Sequence, residues 1–161
     1  MDLTRRELLA GAAALLVEQW AAGRAIAQSS HSTADRKVVL VIRQNLEDDS
    51  KEAMIGEHGT GMIHLAWRPE KGSLLKDMQY RFGGTLAGVK AKRIGIEKHG
   101  DQFTLWVSVS GEPMHQFGPP IRLHFDGSFY VGIGFCSHLP DKSDTAVLSN
   151  VVLEDSAGKV H

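Results

Sequence analysis

The eight histidines and nineteen carboxylates of this chain supply groups for acid–base or metal chemistry, but their spacing assigns little of it. Zinc needs several ligands at short, defined separations, and these histidines are scattered. His58 and His64 can approach each other across a loop, although His58 opens a turn (His58, Gly59, Thr60, Gly61) where it has local backbone partners. Glycoside hydrolysis on a β scaffold needs two carboxylates flanking the scissile bond. The densest acidic stretch, Glu47, Asp48 and Asp49 with Glu52 nearby, falls in a polar turn and reads as solvated, leaving Glu57 and Glu97 as a pair that only the fold could bring together. No cofactor is expected. Calcium stays open, because loop carboxylates and carbonyls can converge without a linear motif; Asp141 and Asp144 are the candidates. No glycine-rich phosphate loop precedes a helix, and Gly132 and Gly134 read as marks of close sheet packing. The single cysteine, Cys136, cannot form an internal disulfide and, ending an apolar run, reads as a small buried hydrophobe.

One constellation suits binding better than catalysis. Arg43, His64, Arg68, Gln79, Arg81 and Trp106 each lie opposite the strongest apolar positions of their own segments. An indole beside planar, multi-donor side chains can stack on a sugar ring and bond its hydroxyls.

These residues sit on segments of strand character. Residues 38–42 form a β-branched run without polar alternation, which predicts a strand covered on both faces. Residues 45–51 are a polar connection. Residues 62–68 place Met62, His64, Ala66 and Arg68 opposite Ile63, Leu65 and Trp67, and residues 78–82 place Met78, Tyr80 and Phe82 opposite Gln79 and Arg81. Residues 69–73 supply turn chemistry between them, so a hairpin is predicted. Residues 93–97 and 103–109 flank a second hairpin turn at 98–101, and strands over 129–135 and 146–153 complete the series. Short strands spaced by turns, without helical periodicity, predict an all-β antiparallel sandwich or jelly roll.

Ahead of this domain, Arg5 and Arg6 precede an uncharged run over residues 8–17, too short to cross a bilayer as an anchor. Ala25, Ile26 and Ala27 follow, two small residues around a larger one as a signal peptidase requires. Residues 1–27 therefore read as a helical, twin-arginine-type signal peptide cleaved before Gln28, and the protein as periplasmic or secreted without a membrane anchor after cleavage. Residues 28–35 read as a flexible leader, 36–155 as the sandwich and 156–161 as a tail. Loss of 1–27 removes equal numbers of acidic and basic residues, so the net charge stays at −1. Such a balance gives no footprint for nucleic acid and no polybasic patch for anionic lipid.

Residues 37–50, 56–62, 93–101, 129–138 and 146–151 together resemble a concanavalin A-like jelly-roll module of the kind found in exported bacterial proteins, sometimes beside a TolB-like β-propeller. The resemblance spans about residues 36–154. It implies the sandwich fold and a non-catalytic role in binding carbohydrate or another envelope polymer, with a hydrolase-like enzyme or a protein-interaction module as alternatives. Such modules carry several strands before the one at 38–43, so this chain resembles a shortened copy. Missing strands would make 38–43 an exposed edge, an association hazard that predicts a homo-oligomer or marginal stability.

Overall fold

The computed structural model describes residues 13–19, 36–86, 89–141, 143–155 and 158–159, with 13–19 and 158–159 described by their backbone. The leader at 28–35 lies outside the described residues. Among the described residues the only helical element is a three-residue 3-10 turn at Gly84–Leu86, and the rest is antiparallel sheet and loop.

Two sheets form the sandwich. The first has five strands, in the order β10 (Tyr130–Cys136), β2 (Lys37–Arg43), β3 (Glu52–His58), β4 (Ile63–Arg68) and β5 (Lys76–Tyr80). The second runs β12 (Gly158–Lys159), β11 (Leu148–Asp155), β1 (Ala13–Gln19), β6 (Arg93–His99), β7 (Gln102–Ser108) and β8 (His115–Gln116), with β9 (Ile121–Arg122) also on β7. The β4–β5 and β6–β7 hairpins are those predicted, and Gly100 turns the second with φ +56°, a region that favours glycine.

Strand β2 alternates, with Val38, Leu40 and Ile42 buried and Val39 and Val41 only partly so. It is covered on one face, which corrects the expectation of cover on both. Its buried residues meet Ile55, Ile63 and Leu65 of the same sheet and Ile94, Ile96, Phe103, Leu105 and Val107 of the other, with β6 lying over β2 and β3. Burying one such side chain fully contributes about 1.5–3 kcal/mol, and this cluster is the main source of stability. Phe103 meets Phe125 edge-on at 5.2 Å, and Lys98 closes that end with its ammonium 5.0 Å from the centre of the Phe129 ring.

The expected edge at 38–43 is also corrected. Strand β2 is interior, paired with β10 from Tyr130↔Arg43 to Cys136↔Lys37 and with β3 from Lys37↔His58 to Arg43↔Glu52. The edges of this sheet are β10 and β5.

The stretch expected to be part of a helical signal contains instead, at Ala13–Gln19, a strand inside the second sheet, between β6 and β11. In the tail, Gly158–Lys159 pairs with Glu154 and Asp155. Strand β3 has no counterpart in the sequence reading, because its polar ends interrupt the alternation. Glu52 and Glu57 are nonetheless both buried there.

Candidate functional site

The period of two along each strand sorts the five-stranded sheet into a core face and an outer face. Across the outer face, register aligns Cys136, Lys37 and His58 in one row and Gly134, Val39, Gly56, His64 and Gln79 in the next. Gly132, Val41, Met54, Ala66 and Asp77 follow, and Tyr130, Arg43, Glu52 and Arg68 form the last row. Val39, Val41 and Met54, all part-exposed, thus make an apolar floor, continued on β4 by Ala66, itself only 2% exposed, and bordered at both ends by polar side chains. The flanking glycines exist because Val39 lies over them: a Cβ on Gly134 would stand 2.8 Å from Val39 Cγ2, and one on Gly56 3.0 Å from Val39 Cγ1. Close packing was the reading for Gly132 and Gly134, and at Gly134 the contact is explicit.

At one border the arginines are occupied. Glu52, 5% exposed, sits between Arg43 Nη2 at 3.6 Å and Arg68 Nη1 at 3.4 Å. Arg68 also donates to the carbonyls of Asp48, Ser50 and Ser73, and Arg43 to that of Glu47. Both side chains therefore hold the 45–51 and 69–73 turns against the sheet. Their planar forks fit this because each can reach several acceptors at once.

The opposite border gathers imidazoles. The His58 ring lies 5.7 Å from that of His64 and stacks on His138 at 5.9 Å. His138 reaches this position with φ +57°, a left-handed backbone that few side chains adopt. Lys37 Nζ stands 3.5 Å from His64 Nδ1. An ammonium only donates, so Nδ1 accepts and the neutral ring carries its proton on Nε2. That nitrogen faces the Asp77 carboxylate, with Oδ1 at 2.5 Å. His58 Nε2 is buried without a partner.

Burial, followed by the Lys37 ammonium, pushes the His58 imidazole below its ordinary value; His64, His138 and Arg81 add to the shift. Burial and Lys37 depress His64 as well, while Asp77 pulls the other way. Both rings stay neutral at pH 7, each offering one donor and one acceptor.

Of the six residues singled out from the sequence, the structure brings Arg43, His64, Arg68 and Gln79 to this outer face, with Arg81 immediately after β5 and close enough to act on His58. Trp106 is elsewhere. It sits on the outer face of the other sheet, opposite Gly95 and Gln116, and donates from Nε1 to Glu97 Oε2 at 3.0 Å. Alternation identified an outward position but could not say which sheet it belongs to. Lys37, His58, Asp77, Tyr130 and His138 were missed as members of this face. The only sequence signal for His58 was its nearness to His64, and the 57 to 64 turn does bring them together.

The carboxylate pair Glu57 and Glu97 does not share a cleft. Glu57 points into the sandwich, 3% exposed, whereas Glu97 lies on the outer face of the second sheet beside Trp106. Asp144 pairs with Arg36 and accepts from the Thr145 amide. Among the described residues no three histidine, cysteine or acidic side chains converge as metal ligands. Cys136 is exposed, not buried: it ends β10 in the row of Lys37 and His58, outside the covered part of the sandwich. No family model matches the sequence, and no curated protein matches it.

Proposed function

We propose that this protein is an exported, concanavalin A-like binding module that holds carbohydrate or a related envelope polymer on the outer face of its five-stranded sheet. The observation that carries the reading is the floor of Val39, Val41, Met54 and Ala66, ending at the His58, His64 and Gln79 border with a buried imidazole nitrogen left unbonded. A sugar is amphipathic in the same way: its C–H face lies on apolar side chains while its hydroxyls need both donors and acceptors. Neutral imidazoles, an amide and a carboxylate supply both, and Lys37 adds a charge for an acidic unit. The floor extends across three strands, β2, β3 and β4, which suits an extended chain better than a compact solute. The twin arginines and the Ala25–Ala27 motif place the protein, in this reading, in the periplasm or outside the cell.

Affinity electrophoresis through gels containing neutral and acidic polysaccharides tests the proposal. Retardation of the wild-type protein that is lost in His58→Ala and His64→Ala but kept in Trp106→Phe is the expected result. Equal mobility in every polysaccharide gel, or retardation that depends on Trp106 alone, overturns it.

A further inference from the structure

The segment that carries the apolar part of the export-type signal is also an interior strand of the second sheet. Strand β1 pairs antiparallel with β6 from Ala13↔Lys98 to Glu18↔Arg93, and with β11 from Ala14↔Glu154 to Gln19↔Leu148, with one irregularity between Leu16 and Glu18. The other ladder partner of β11 among the described residues is β12, through two residue pairs. Without β1, both β6 and β11 would present bare backbone edges to the lane between them. Such edges accept an extended chain, with the backbone ladder supplying affinity and alternate side chains supplying selectivity.

We propose that the lane between β6 and β11 is a strand-acceptor site, occupied in the intact chain by its own residues 13–19. Once the chain is cut in the 20–36 connection, the lane takes an extended peptide of that sequence as a separate molecule. The chemistry of the occupant follows from the walls. Positions 15 and 17 are in register with Ile96 and Ile94, both fully buried, and residues 13–17 carry no charge. An occupant with uncharged residues at the two positions in register with Ile96 and Ile94 suits walls whose own side chains there are fully buried. The strand must also run antiparallel to both walls, which fixes its direction. The Ala25–Ala27 motif lies in sequence between β1 and β2, so hydrolysis there, water adding across one amide bond, severs residues 13–19 from the body at a point outside both β1 ladders. The 1–27 segment would then be a bound, exchangeable subunit.

The test uses the full chain with a specific protease sequence replacing residues 28–34. The folded protein is cut and passed over a sizing column without denaturant, and the amide exchange of β6 and β11 is compared before and after. Co-elution of the 1–27 fragment with the body, and its replacement by a labelled synthetic 8–20 peptide in dilute urea, is expected. A peptide with Leu15→Pro, which lacks one ladder donor, should be retained about tenfold less. Separation of the fragment with collapse of protection in β11 overturns the proposal, since the lane then needs its strand but does not hold it as a separate molecule. Separation with unchanged protection in β6 and β11, or equal retention of the proline peptide, overturns it.

Discussion

Glu57 accepts a hydrogen bond from the Ala91 backbone amide at 2.8 Å, while its second carboxylate oxygen, Oε2, is buried with no partner. Desolvation by burial raises this carboxyl from 4.5 to about 7, against the opposing pull of the Ala91 amide and Lys90. The folded protein thus holds a proton that the unfolded chain releases near pH 4.5, so this site loses stability as pH rises from 4.5 to about 7. Glu57→Gln keeps an acceptor for Ala91 and removes the charge. The variant should match wild type near pH 4.5 and exceed it by about 3 kcal/mol at pH 8, an order-of-magnitude figure read from urea unfolding at each pH.

The two part-buried imidazoles act in the opposite sense. With His58 and His64 depressed below 6.5, the unfolded chain binds protons first as pH falls, and their contribution, complete above 6.5, is lost as pH falls through the folded values. Replacing both with glutamine should flatten the wild-type decline in melting temperature on the acid side of pH 6.5 and leave the alkaline side unchanged.

Gly134 and Val39 should be coupled. Gly134→Ala puts a methyl 2.8 Å from Val39 Cγ2 and should cost about 1–3 kcal/mol. In the background of Val39→Ala the same change should cost less than about 0.5 kcal/mol, and a double-mutant cycle by chemical denaturation measures the difference.

Removing the carboxylate between Arg43 and Arg68 should be more damaging than removing either arginine's neighbour on the surface. Glu52→Ala leaves two guanidinium groups side by side over a partly covered floor and should cost about 2–3 kcal/mol, below the full value for a buried pair because both arginines keep some solvent. Glu47→Ala, at the exposed Lys71 pair, should change stability by less than about 1 kcal/mol.

For ligand binding, Gln79→Ala and His64→Ala should each weaken retardation in polysaccharide gels about tenfold, the size of one or two lost hydrogen bonds. Trp106→Phe should leave it within about twofold, since its indole N–H already bonds Glu97 on the other sheet.

The strands at 62–68, 93–97 and 103–109 were legible because apolar residues recur at every second position in the sequence, and Ile63, Leu65, Ile94, Ile96, Phe103, Leu105 and Val107 are the ones the core buries; the strand expected at 78–82 lies two residues earlier, at Lys76–Tyr80. Strand β3 was not, because its two glutamates are buried with partners, Arg43 and Arg68 for one and the Ala91 amide for the other, that lie distant in sequence. Which outward residues share a face depends on sheet membership, a property of long-range pairing. That is why Gln79 and His64 were grouped correctly through their common hairpin while Trp106 was grouped wrongly. Cys136 misled for a related reason: it ends an apolar run, but the run lies on β10, an edge strand whose last residue emerges into solvent.

The placement of β1 between β6 and β11 sets a timetable for synthesis. Strand β1 cannot complete its second ladder until residues 148–155 have been translated, which at 5–20 residues per second takes on the order of ten seconds after β1 itself. During that interval the growing chain has one flank of β1 unclaimed, and anything that reads an extended apolar segment has time to reach it before β11 does.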